Sequence, residues 1–217
     1  MKVLLIAKEG DKYGIQAGEF ITSNFPGSTV ILGKRGAPFP EAFQNWEGDL
    51  IISYLSPWII PQFLLEKAKF ASINFHPGSP AYPGIGCTNF ALYNNEKEFG
   101  ITCHHMLKKV DTGSIIEVSR FPILENDSVW TLTQRCYAAI SALFFKVMNE
   151  LMKSGKLPES KETWQREAYK RVELNALCKI TLDMDEAEVN RRIRATTYPN
   201  MPGAYLELYG NRFNFAG

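Results

Sequence analysis

Short, branched, uninterrupted apolar runs dominate the first third of this chain, and they limit its fold more than any other feature. Val3–Ala7, Thr29–Leu32 and the DLIISY run of Asp49–Tyr54 each have the length and character of a strand buried on both faces. A fourth run, Ala71–Phe75, leads directly into His76-Pro77. Helix-compatible stretches lie between them. Tyr13–Asn24 ends at Pro26-Gly27, and Pro61–Ala68 is predicted as a second helix. Strands alternating with helices predict an open, mostly parallel α/β sheet. Such sheets bind ligands beyond the carboxyl ends of their strands, where strand order reverses. The residues just after Phe75 therefore sit where chemistry is expected.

Further along, Gly100–Met106 and Ser114–Arg120 are two more strand candidates, joined by a polar loop that holds Asp111 and Gly113. Ser128 is placed to cap the longest helical pattern, which runs to about Lys153 and closes at Gly155. Glu159–Leu177 is polar and mixed, and reads as connection. Asp183–Ala195 has the acidic start and basic end that suit a helix dipole. Ala204–Phe215 splits around Gly210-Asn211 into a hairpin. These patterns predict a main domain over residues 1–177 and a small extension, helix plus hairpin, over 178–217.

With 217 residues the chain is long enough for one substantial core. A net charge of +1 removes the usual reason to expect a nucleic-acid partner. The four cysteines are widely spaced, with no CxxC pair, so no metal is expected. The apolar run at the amino end is broken at once by Lys8, Glu9 and Asp11. It is too short for a signal-peptide core or a membrane span, and the expectation is a cytoplasmic protein.

The chemistry is concentrated in two pieces. In the first, Asn74 and His76 flank Phe75, so their side chains share one side of the sheet. The Pro/Gly-rich loop Pro77–Gly86 then fixes the backbone beyond them. In the second, Gly100-x-Thr102 precedes His104-His105, whose side chains face opposite ways, and then Asp111-Thr112-Gly113. A carboxylate beside His76 is expected to orient the imidazole and favour its protonated form. Amide, imidazole and carboxylate together suit acyl-type transfer to a neutral amine. The amide and imidazole would hold a developing oxyanion while the imidazole moves a proton.

Taken as one unit, Asn74-x-His76, Gly100-x-Thr102 and Asp111-x-Gly113-x-Ile115-Ile116 resemble the folate-dependent formyltransferase family. The resemblance spans roughly residues 1–151 and implies a Rossmann-like sheet flanked by helices. It further implies 10-formyltetrahydrofolate as co-substrate and a catalytic triad of Asn74, His76 and Asp111. A donor pocket is implied along Ser53, Tyr54, Leu55, Ser56 and Pro57, with Val110. Tyr82, Pro83, Gly84, His105 and Arg194 are the implied acceptor contacts. Lys8–Lys12 carries two acidic residues where glycinamide ribonucleotide enzymes hold a phosphate. Arg191–Ala204 is similar to both methionyl-tRNA and sugar-nucleotide branches, but only a hairpin's length follows it. The resemblance thus points to a nucleotide-linked amino sugar as the amine acceptor, and the exposed terminal hairpin leads to the expectation of a homodimer. A methionyl-tRNA or glycinamide ribonucleotide enzyme, a formyltetrahydrofolate hydrolase and a folate-binding module without activity are the alternatives.

Overall fold

The computed structural model describes residues 1–215. Its order is β1 (Val3–Lys8), α1 (Lys12–Asn24), β2 (Thr29–Gly33), β3 (Gly48–Tyr54), α2 (Gln62–Leu65), β4 (Ala68–His76), α3 (Cys87–Tyr93), β5 (Glu98–His105) and β6 (Ile115–Pro122). There follow α4 (Val129–Ser154), α5 (Arg171–Cys178), β7 (Lys179–Ile180), α6 (Glu186–Thr196), β8 (Tyr205–Leu208) and β9 (Asn211–Asn214). Six strands form the central sheet in the order β2-β1-β3-β4-β5-β6. The first four are parallel, while β5 and β6 run antiparallel to their neighbours. Strand order reverses at β1, which has β2 on one side and β3 on the other.

The strictly two-residue period of a strand divides the core. Val3, Leu5, Ala7, Leu50, Ile52, Tyr54, Ile73 and Phe75 face a large cluster shared with α1, α3 and α4. Leu4, Ile6 and Ile51 face a smaller one with Phe43, Trp46, Ile60 and Leu64. Ser53, Asn74 and His76 alternate with the first set and so open onto the second face, where the smaller cluster leaves room at the strand ends.

Helix ends follow local chemistry. Asp11 caps α1 by accepting from the Gly14 N–H. Ser128 and Thr131 form a capping box at the start of α4, and Gly155 closes it with φ 72°. Two expectations need correction. The helix expected over Pro61–Ala68 is a single turn, because β4 already begins at Ala68. The stretch expected as pure connection contains α5, whose one fully buried side chain is Leu177. The carboxyl-terminal elements pack on the main body. Asn89 Nδ2 donates to the Ala195 carbonyl (2.7 Å) and the Tyr93 hydroxyl to Glu188 (2.8 Å). The hairpin turns at Tyr209-Gly210, both with positive φ, one residue earlier than expected. Among the described residues no helix is long and apolar enough to cross a membrane.

Candidate active site

Register brings the site together. Ser53 pairs with Asn74, and Asn74 with His104, so three side chains form a row across β3, β4 and β5 on one face. His76 pairs with Thr102, whose hydroxyl donates to the Gly78 carbonyl (2.8 Å) and ties the following loop to β5. Asp111, in the β5–β6 turn, completes the cluster. Its backbone is left-handed (φ 50°), a conformation that disfavours side chains and marks a position fixed by its surroundings.

Those surroundings are the site itself. Asp111 Oδ2 lies 3.3 Å from His76 Nδ1 and accepts from the Gly84 N–H at 2.7 Å, while Oδ1 lies 3.2 Å from His104 Nε2. His76 Nε2 donates to the Tyr82 carbonyl (2.9 Å), with Cys87 Sγ 3.5 Å away. Asn74 Nδ2 sits 3.1 Å from His104 Nε2, which leaves its second amide hydrogen for the cavity. His104 Nδ1 donates to the His105 carbonyl (2.7 Å).

Burial opposes ionisation of Asp111, but His76, His104 and the Gly84 N–H outweigh it and hold the carboxyl at about 2. For His76 burial wins. It pushes the imidazole below its ordinary value despite the pull of Asp111 and the Tyr82 carbonyl. The expectation that Asp111 keeps His76 protonated is therefore corrected: the resting pair near neutral pH is a neutral imidazole beside a carboxylate. Two acceptors flank that ring, so a second proton would find a partner as soon as it arrived.

A cavity of about 860 Å³ opens beside the cluster and takes Asn74, His76, His104 and Asp111 into its wall. Lys8, Ser53 and Pro77 place it at the carboxyl ends of β1, β3 and β4, next to the strand-order reversal. One part of the wall is apolar, built from Leu55, Pro57, Trp58, Ile60 and Met106. Lys8, Lys109, Lys170 and Arg171 supply cationic groups elsewhere on it. Trp58 is held by its indole N–H to the Ala37 carbonyl (2.8 Å) and lies against Gly33, where an added Cβ would meet the ring at 2.3 Å.

The expected residues divide clearly. Ser53, Leu55, Ser56, Pro57, Val110 and Gly84 line the cavity with the triad. Tyr54 does not. Alternation turns it into the core, against Phe75 and Phe144. Tyr82 is buried behind the loop with its hydroxyl donating to Glu96 (2.7 Å), and it reaches the site only through its carbonyl. Pro83 uses its carbonyl to accept from the Tyr169 N–H (2.9 Å). His105 is outside the wall, because the register puts His104 on the Asn74 face. Arg194 lies elsewhere on α6, donating to the Asp127 and Glu125 carbonyls at 3.2 Å. The sequence reading missed His104 and the segment between α4 and α5. That segment puts Trp164 edge-on to both imidazoles and stacks Tyr169 on Phe90 (3.8 Å). Two aromatic residues in a polar stretch were the available signal.

An open α/β sheet with an amide–imidazole–carboxylate cluster in a cavity beyond its strand ends defines an α/β domain built to bind and transform a small molecule. Residues 35–148 match the family described as formyl transferase, more than half of the chain, and the chain belongs to that family. It is 31% identical over 173 residues to GDP-perosamine N-formyltransferase of Brucella melitensis, covering 79% of this chain and 66% of that protein. It is also 31% identical over 173 residues to methionyl-tRNA formyltransferase of Latilactobacillus sakei, covering 76% of this chain and 51% of that protein. The chain therefore spans between half and two thirds of these relatives. In fold it is similar to an N-formyltransferase from Helicobacter canadensis solved in complex with folinic acid and dTDP-3-aminofucose. The TM-score is 0.75 at 20% identity, with 97% of this chain and 85% of that one covered.

Proposed function

We propose that this chain transfers the formyl group of 10-formyltetrahydrofolate to a primary amine of a nucleotide-linked amino sugar. The observation that carries the proposal is the Asn74–His76–His104–Asp111 cluster in the wall of one cavity, on a chain of the formyl transferase family. The cavity suits two co-substrates. Its volume is near the upper end of ordinary small-molecule sites, and its apolar stretch offers a flat heterocycle Leu55, Trp58 and Ile60. The lysines and arginine on its wall suit an acceptor that carries phosphates. The resemblance to relatives acting on GDP-perosamine supports that acceptor class.

The donor supplies an activated formyl carbon, and the residues of the chain do the rest. The free amide hydrogen of Asn74 meets the negative charge that grows on the formyl oxygen as nitrogen attacks. Neutral His76 takes the proton that the amine must lose. Nδ1, the ring nitrogen with the looser contact, receives it beside Asp111, while Nε2 remains bound to the Tyr82 carbonyl. Asp111 stays charged and steadies the imidazolium it faces until the bond from the formyl carbon to the folate nitrogen breaks and that nitrogen takes the proton from His76. The Gly84 N–H keeps that carboxylate in place.

The chain is further proposed to work in the cytoplasm and to pair as a homodimer, since β9 is an exposed edge strand of the small sheet β7-β8-β9. Light scattering on the chain with its hairpin intact decides the second point.

The decisive test measures tetrahydrofolate release from 10-formyltetrahydrofolate with a panel of acceptors. The panel holds nucleotide-linked 3- and 4-amino sugars, glycinamide ribonucleotide, methionyl-tRNA and buffer. Release that depends on one amino sugar supports the proposal. Release with methionyl-tRNA alone, or in buffer alone, replaces it with a different reaction.

A further inference from the structure

The segment between α4 and α5 has no regular structure of its own, yet the backbone sews it to the site at four points. Ser160 N–H donates to the Ile115 carbonyl, Gln165 N–H to Pro80, and Tyr169 N–H to Pro83, while the Tyr169 carbonyl accepts from Ile85. Trp164 lies in its middle. The indole Nε1–H donates to the Gly113 carbonyl at 2.8 Å, two residues after Asp111. The ring stands edge-on to His104 (5.0 Å between centroids, 85° between planes) and to His76 (5.8 Å, 76°). Trp164 is not part of the cavity wall, so it covers the imidazoles without touching what the cavity holds.

Gly113 shows how little freedom that turn has. A Cβ there would sit 1.9 Å from the His105 carbonyl oxygen, so the Asp111 turn is pressed onto β5. The Gly113 carbonyl of that turn accepts from Trp164. We infer that Trp164 is a positioning residue for the transfer reaction: it fixes the turn that carries Asp111 and keeps water from His76 and His104. The inference rests on the formyl-transfer reading for its kinetic arm only.

The groups that face His76 are Asp111 from the β5–β6 turn, His104 from β5, Cys87 from α3 and the Tyr82 carbonyl from the loop. Of these, the Asp111 carboxylate draws a proton to the ring most strongly. Removing the indole admits water, weakens the burial that keeps His76 neutral, and leaves the Asp111 attraction in place. The His76 midpoint must then rise, and with it the acid limb of kcat/KM.

The chain has three histidines, so imidazole carbon-proton NMR resolves each titration in the protein as it stands. In Trp164→Ala the His76 midpoint is expected to move up by about one pH unit. Trp164→Phe keeps an apolar ring but loses the donor. It should lower kcat about five- to tenfold, the size of one lost hydrogen bond, with KM for both co-substrates and the His76 midpoint nearly unchanged. A His76 midpoint that is the same in Trp164→Ala and in the parent chain overturns the inference. So does parental kcat in Trp164→Phe, which decides the matter alone if Trp164→Ala does not fold. A parent chain that forms no product with any acceptor would sink the proposed function, and the titration would still judge Trp164.

Discussion

His76 and Asp111 are 3.3 Å apart and buried, but burial acts on them in opposite directions. The imidazole is driven neutral and the carboxylate survives only because three N–H groups or imidazoles face it. Activity that needs neutral His76 therefore falls as pH drops through a midpoint below the ordinary histidine value, and a pH–rate profile of kcat/KM locates that limb. A limb above pH 7 would contradict the burial argument. Stability follows the same sign. Each group binds its proton more readily unfolded than folded, so acid favours the unfolded chain. His76 contributes a loss of stability as pH falls below about 6.5. Asp111 contributes a further loss between 3.8 and about 2, worth roughly 2 kcal/mol. Urea midpoints measured from pH 4 to pH 2 should fall in the parent chain and less steeply in Asp111→Asn. For catalysis, Asn74→Ala should reduce kcat by about 10²–10³ with folding intact, as expected for a lost oxyanion donor. Much of this site was legible in the sequence. Alternation alone put Asn74 and His76 on one side, and the left-handed Asp111 sits in a turn rich in turn-forming residues. The choice between His104 and His105 was not legible, because it depends on a cross-strand register that no local pattern encodes.

At the scale of elements, the same contrast separates strands from the segments around them. β1, β3 and β4 were readable because a strand buried on both faces must be continuously apolar. α5 was not, since it is short and only Leu177 of its eight residues is fully buried. The strap before it holds its place through backbone hydrogen bonds, which leave no mark on side-chain pattern. Two glycines make the element-scale argument testable. Gly113 has no room for a methyl group, so Gly113→Ala must displace either the His105 carbonyl or the turn that carries Asp111. A stability loss of about 1–3 kcal/mol is expected, with turnover falling further than stability alone explains. Gly155, at the end of α4, has φ 72°, but a Cβ added there would meet nothing within 4 Å. Gly155→Ala should cost only about 1 kcal/mol of left-handed strain and leave turnover unchanged. Thermal melts paired with single-turnover rates separate the two cases. Equal effects at both glycines would show that the Asp111 turn tolerates movement.

On the scale of the whole molecule, the sequence suggests a boundary near residue 177 that the packing does not respect. Leu177 and Ala195 belong to the large core cluster together with residues of α1, α3 and α4. α6 reaches α3 through the Asn89–Ala195 and Tyr93–Glu188 hydrogen bonds, and Arg194 anchors the segment that leads into α4. Arg192 adds donors to the carbonyls of Ala176 and Lys179, which join α6 to the end of α5. A unit held by shared core side chains and buried polar contacts melts with the core it shares. The proposal is therefore one cooperative body, with the carboxyl-terminal helix as part of the support for α3. α3 in turn carries Cys87 beneath His76, so loosening it should reach the site. Calorimetry of the full chain should give one transition whose calorimetric and van't Hoff enthalpies agree. A chain ending at Cys178 should lose that transition or show it many degrees lower, by more than one or two lost hydrogen bonds can explain. Asn89→Ala offers the milder version, a loss of about 1 kcal/mol from leaving the Ala195 carbonyl without its donor. Two separate transitions in the full chain, with the shortened chain melting at the parental temperature, would restore the boundary and make residues 178–217 an independent appendage.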